Sequence, residues 1–244
     1  MIKHAEADGA QRDTFDVEVE FERQVRALVD AGYAGEAGMT GQAFATLLEP
    51  LRPIVMGALG VLGALGAQVT PEGPTSERVP FVLVVTRALV PADRAMPLTR
   101  HKGKAGFVSA DTADIDRFVA IEGVQIPDGQ AYVVIDVERG AEYLDVRPND
   151  ALTGITARGR SPLTVDEGIA LITSFPASLE KNHCFSLAAS RCGDKRVPAV
   201  WISKGAPQLG WCWAGNPHTW LGTASCNGRA GVPAHTRSTR EDGA

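Results

Sequence analysis

Aromatic residues make up only 6% of these 244 residues, and no run of lysine or arginine is longer than two. With a net charge of −5 and a pI near 5.6, the chain offers a nucleic-acid backbone no basic surface, so nucleic acid is not an expected partner. It holds no G-x-S-x-G, Walker loop, dinucleotide fingerprint or H-E-x-x-H, which removes the common nucleotide-binding, serine-hydrolase and zinc-protease classes. Long apolar runs are missing too. The longest, IVMGALGVLGALGA from Ile54 to Ala67, falls short of the roughly 20 residues a spanning helix needs, so no membrane partner is expected. The N-terminal MIKHAEADGAQRD lacks the apolar core of a secretory signal. The four cysteines are therefore read as reduced thiols of a cytoplasmic protein.

What is present is the composition of one globular α+β domain, 44% hydrophobic and 22% charged. Residues 1–14 read as a disordered N-terminus, 15–228 as a single domain, and 229–244, rich in Gly, Ser, Thr and charge, as a disordered tail. Val19, Phe21, Val25, Leu28 and Val29 approach helical spacing, and Gly32 stands where a left-handed glycine would end that helix. Thr40 can cap a second helix carrying Phe44, Leu47 and Leu48, interrupted near Pro50 and Pro53. Gly57, Gly60, Gly63 and Gly66 recur every third residue within 54–67, a spacing that suits close packing and suggests a homodimer contact.

Phe81–Val85 and Ala131–Val137 read as buried strands, with a loop carrying Arg100-His101-Lys102-Gly103-Lys104 and a short helix around Asp114–Phe118 between them. Helix is expected near Ala151–Ala157. Thr164-Val-Asp-Glu167 is a capping box, which assigns Glu167 to a helix start rather than to acid–base chemistry.

The reactive residues are concentrated near the C-terminus. All four cysteines (184, 192, 212, 226), all four tryptophans (201, 211, 213, 220) and His183 and His218 lie between 183 and 226. Gly193–Arg196 and Lys204–Pro207 read as turns separating three β-rich runs, hence a three-stranded antiparallel meander over 184–214. With regular turns, Ser190 lies opposite Ala199, and Ala199 opposite Cys212. Alternation then puts Phe185, Leu187, Val200, Leu209, Trp211 and Trp213 on a core-facing side. Cys184, Ser186, Ser190, Ala199, Trp201, Gly210 and Cys212 take the other, where small side chains can floor a pocket or lie beneath a helix.

The stretches PFVLVVTR, RGRSPLTVDEGIALIT, NHCF, SRCGDKRVPAVWIS and LGWCWAGNPHTWLGTASC resemble an actinobacterial family of uncharacterised proteins, from about Phe15 to Cys226. The block GWCWAGNPHTWLG is the most specific part. The resemblance implies no activity, cofactor or site.

Chemistry must then be read from spacing. Cys184 and Cys192 in one extended strand would stand about 26 Å apart, too far to share an ion with Zn–S bonds of ~2.3 Å. Cys212, His218 and Cys226 with Cys192 or His183 would number enough ligands, but without a metal-site signature the expectation is no bound metal. For catalysis, Cys212 is the candidate nucleophile and His218 its base. His218 follows Gly215-Asn-Pro217, a turn in which Asn216 can cap and Pro217 can start a short helix. Trp220, Trp201, Asn216 and Ser190 are the candidate ligand-binding residues. The expected function is a small-molecule-binding protein, with or without catalysis. The alternative is a non-catalytic interaction or scaffold protein, with a structural zinc as a further option. No cofactor is indicated.

Overall fold

The computed structural model describes residues 15–64 and 73–233, the side chains of residues 61–64 excepted. Four helices come first: α1 (Val17–Ala31), α2 (Tyr33–Glu36), α3 (Gly41–Leu48) and α4 (Arg52–Ala64). There follow β1 (Arg78–Val85), α5 (Ala92–Ala95), β2 (Arg100–His101), β3 (Lys104–Ala105), β4 (Phe107–Val108), β5 (Val119–Ala120) and β6 (Ala131–Glu138). After α6 (Pro148–Ala157), β7 (Ser161–Pro162) and α7 (Val165–Ser174) come β8 (Cys184–Ser186), β9 (Ser190–Arg191), β10 (Arg196–Ser203), β11 (Ala206–Trp213), β12 (Leu221–Thr223) and β13 (Ser225–Ala230). One sheet runs β1-β6-β13-β7, antiparallel throughout. The other is mixed, in the order β12-β8-β10-β11-β4, with its parallel pairs at the two edges. Two-stranded ribbons β2-β3 and β5-β9 complete an α+β fold. Among the described residues no helix is long and apolar enough to cross a membrane.

The helix boundaries follow the expected cap chemistry. Asp16 accepts the amides of Glu18 and Val19 at the start of α1, and Gly32 closes it at φ 108°. Thr40 caps α3 through the amide of Ala43. Thr164 and Glu167 form both halves of the capping box of α7. Every residue of α7 except Asp166 is buried, as befits a helix apolar on nearly all sides that lies between other elements. It packs on β1 and α1, and Gly168 receives the side chain of Leu187 so closely that a Cβ there would collide with it.

On α1 the apolar periodicity misassigns two positions. Val19 is 64% exposed, whereas the polar Gln24 is fully buried. The cause lies on β1, an edge strand whose outward backbone groups need partners. The Gln24 amide accepts from the Leu83 N–H at 2.9 Å and donates to the Phe81 carbonyl at 3.0 Å, standing in for a neighbouring strand.

The antiparallel meander is β8-β10-β11, with three corrections in detail. Its first strand stops at Ser186 instead of reaching Cys192, because the chain turns through Leu187–Ala189 to pack on α7, and β9 then pairs with β5. The β10–β11 turn has two residues rather than four, Lys204 and Gly205, both at positive φ, the backbone that matches hairpin twist. Ala199 therefore faces Gly210, and Ser186 rather than Ser190 faces Ala199. Both shifts are by an even number of residues, so the two sets of side chains keep their faces.

The expected burial of the tryptophans does not hold. Phe185, Val200 and Leu209 fill the core face, while Trp211 is half-buried and Trp213 is 47% exposed at the end of β11. The expected tail boundary at 228 also moves, since β13 continues through Arg229 to Ala230 between β6 and β7. Residues 1–14 and 234–244 lie outside the described residues, as do 65–67 of the glycine-patterned segment. In α4, Gly57 and Gly60 face open space, and Val55 and Leu59 supply the buried side.

Candidate functional site

After Trp213 the chain leaves β11 at Ala214 and returns at the far edge of the same sheet as β12. The segment 214–220 must therefore cross the ends of β10 and β8. No helix forms at Pro217; the crossing is a turn followed by irregular backbone. Its carbonyls are held from both sides: Asn149 N–H donates to Ala214, Asp145 N–H to His218, and Cys184 N–H to Trp220. Two glycines hold the end of the crossing. Gly222 in β12 and Gly140, at φ 82°, approach so closely that a Cβ on either would strike the other segment's backbone.

Between this crossing and the sheet lies a concavity of about 340 Å3, within the range of small-molecule sites. Ala199 and Cys212 form its floor, Trp201 one wall, and His218 and Trp220 the other, with Asn216 at the rim. The Trp201 and Trp220 rings stand 6.3 Å apart at 69°, and the His218 ring is 5.3 Å from Trp220. Trp211 and Trp213, an edge-to-face pair at 4.6 Å, also border it. The outer edge of the Trp201 indole comes so close to Gly210 that a Cβ there would collide with it.

Five of the six expected site residues thus share one concavity: Cys212, His218, Trp220, Trp201 and Asn216. Ser190 does not. It is buried beneath α7, where its hydroxyl accepts the Val165 N–H at 3.0 Å, and it borders a second hollow of about 330 Å3 with Arg87, Tyr132 and Asp166. Several of the polar groups there are already committed to protein partners. Arg87 clamps the Asp166 carboxylate, and the Tyr132 hydroxyl donates to Glu167 at 2.9 Å.

The nucleophile–base pair does not assemble. No hydrogen bond joins the Cys212 thiol to His218 among the described residues. Burial pushes that thiol up to about 12, with Arg191 a minor opposing influence, so at neutral pH Cys212 keeps its proton and lacks the thiolate that attack requires. Cys226 is raised to about 12 by burial as well. Cys192 is raised by burial and by its contact with Asp194. Among the described residues no three His, Cys, Asp or Glu side chains come together as metal ligands. His183, a candidate ligand by sequence, instead meets Arg139 through Nδ1 at 3.0 Å, and Arg139 also pairs with Glu77.

The contribution of Gly210 went unread in the sequence. Its signal was a glycine in mid-strand between Leu209 and Trp211, a place where close approach of another group is the usual cause.

A model of a protein family of unknown function, DUF5701, matches residues 27–232. The chain belongs to that family. The match ends two residues beyond β13, so it takes in both sheets, α7 and the whole concavity. No curated protein and no solved structure matches this DUF5701 member.

Proposed function

We propose that this DUF5701 protein binds a small molecule in the Trp201–His218–Trp220 concavity. The observation that carries the reading is convergence: β10, β11 and the 214–220 crossing each contribute side chains to one hollow with an aromatic wall and a polar rim. Aromatic walls with a few convergent polar groups are the ordinary make-up of such sites. The protonated Cys212 favours binding over thiol chemistry. An actinobacterial source and a cytoplasmic setting belong to the same proposal, the latter supported by four cysteines that are all free.

The test is His218→Ala. Its ring makes no hydrogen bond among the described residues, so the fold loses little when it goes. A ligand found by NMR screening of a mixed small-molecule library should bind the variant at least about tenfold more weakly, with a melting temperature within a few degrees of the parent. A variant that melts several degrees lower yet binds undiminished would overturn the reading.

One observation favours a second reading, a non-catalytic interaction or scaffold protein. Met56, Gly57 and Gly60 form an outward face on α4 with no neighbour among the described residues, and pairing with a second copy through 54–67 would cover it. Sedimentation equilibrium should then show a dimer that Gly57→Glu dissociates; a monomer at all concentrations removes this reading.

A further inference from the structure

The lining of the concavity defines a ligand class, on the premise that it is a binding site. Among the described residues its lining includes no Asp, Glu, Lys or Arg. An ionised ligand entering it would lose hydration without meeting a counter-charge, which is costly in a partly enclosed, apolar setting. A cationic ligand held by ring faces alone needs no carboxylate. One of the bordering rings, Trp211, already has a cation of the protein's own: the Arg196 guanidinium lies 5.9 Å from its centre and is paired with Asp114 and Asp194.

Ring geometry narrows the class further. The indoles of Trp201 and Trp220 meet at 69°, so a flat heteroaromatic compound cannot be sandwiched between them; one indole offers a face and the other an edge. Polar groups lie around the rim instead. Asn216 is exposed and carries both a donor and an acceptor. The Trp211 indole N–H is taken by the Asp111 carbonyl at 3.2 Å. Those of Trp201 and Trp220 donate to no protein acceptor among the described residues, and neither is a buried orphan.

We infer that the concavity takes a neutral polyhydroxylated ring, a sugar, stacked by its C–H face on one indole with its hydroxyls directed to Asn216, His218 and the free indole N–H groups. Such a ligand is uncharged, amphipathic across its two faces and rich in acceptors at its edge, the three properties that this lining complements.

The test follows the four indole N–H signals of the full chain by 1H–15N NMR. It titrates glucose, N-acetylglucosamine and maltose, with tetramethylammonium chloride and adenosine as counter-probes. Saturable shifts of the Trp201 and Trp220 signals with at least one sugar are expected. They should weaken roughly tenfold in Trp220→Ala and several-fold in Asn216→Ala, the latter an exposed residue whose loss leaves folding intact. Shifts at these indoles with tetramethylammonium or adenosine and with none of the sugars would overturn the ligand class while leaving the binding site standing. Silence with every probe and with the small-molecule library would overturn both.

Discussion

A polar side chain in an apolar stripe is usually a solvated one, and Gln24 shows how that reading fails. Its position on α1 breaks the helical pattern of Phe21, Val25 and Leu28, yet it is the residue that closes the edge of β1. Nothing within α1 could have shown this, because the groups it satisfies belong to residues almost sixty positions away. Gln24→Ala orphans the Leu83 N–H and the Phe81 carbonyl, each at a cost of about 1–3 kcal/mol. Urea unfolding should show a loss in that range or above it. A change below about 0.5 kcal/mol would mean that water replaces the amide freely. The capping residues Thr40 and Thr164, by contrast, were legible from sequence because a cap acts on amides two or three residues away.

At the scale of elements, what was legible depended on parity. The length of the β10–β11 turn and the end of β8 were both misjudged, but each error displaced the register by an even number of residues, so the face shared by Ala199, Trp201, Gly210 and Cys212 was read correctly. The burial of that face could not be read, because it depends on where the 214–220 crossing runs, and that course is fixed by contacts with Asp145, Asn149 and Gly140 far back in the chain. The same face allows a test that separates site from scaffold. In Gly210→Ala the new methyl strikes the outer edge of the half-buried Trp201 indole, which can swing away. Stability should change by less than about 1 kcal/mol, the size of an ordinary surface effect, while tryptophan fluorescence shifts and ligand binding weakens. A large loss of stability with unaltered fluorescence would show that Trp201 is a packing residue held in place.

For the whole molecule, the order β1-β6-β13-β7 brings together segments from both ends of the chain, and sequence patterning reports nothing about such pairing. It also misread the end of the last strand, since Arg229 and Ala230 open a stretch whose composition looks like a tail. The reason that β13 is held lies in Arg229. Its side chain is 6% exposed and pairs with Glu167, which is 1% exposed, and it also donates to the Ser161 hydroxyl and the Pro162 carbonyl at 2.7 Å each. Glu167 in turn accepts from the Tyr132 hydroxyl and the Thr164 N–H. One carboxylate therefore joins α7, β6 and β13, and through Arg229 also β7. Removing one member of such a pair strands a buried charge, at about 3–5 kcal/mol, whereas removing both charges costs much less. Arg229→Met should accordingly destabilise the protein by that amount in urea melts. Glu167→Gln combined with Arg229→Met should recover a large part of it, because the amide oxygen can still accept from the Thr164 N–H while the amide NH2 donates to the Tyr132 hydroxyl. Additive losses across this double-mutant cycle would show that the two residues act independently, and that β13 is held by its backbone ladder alone.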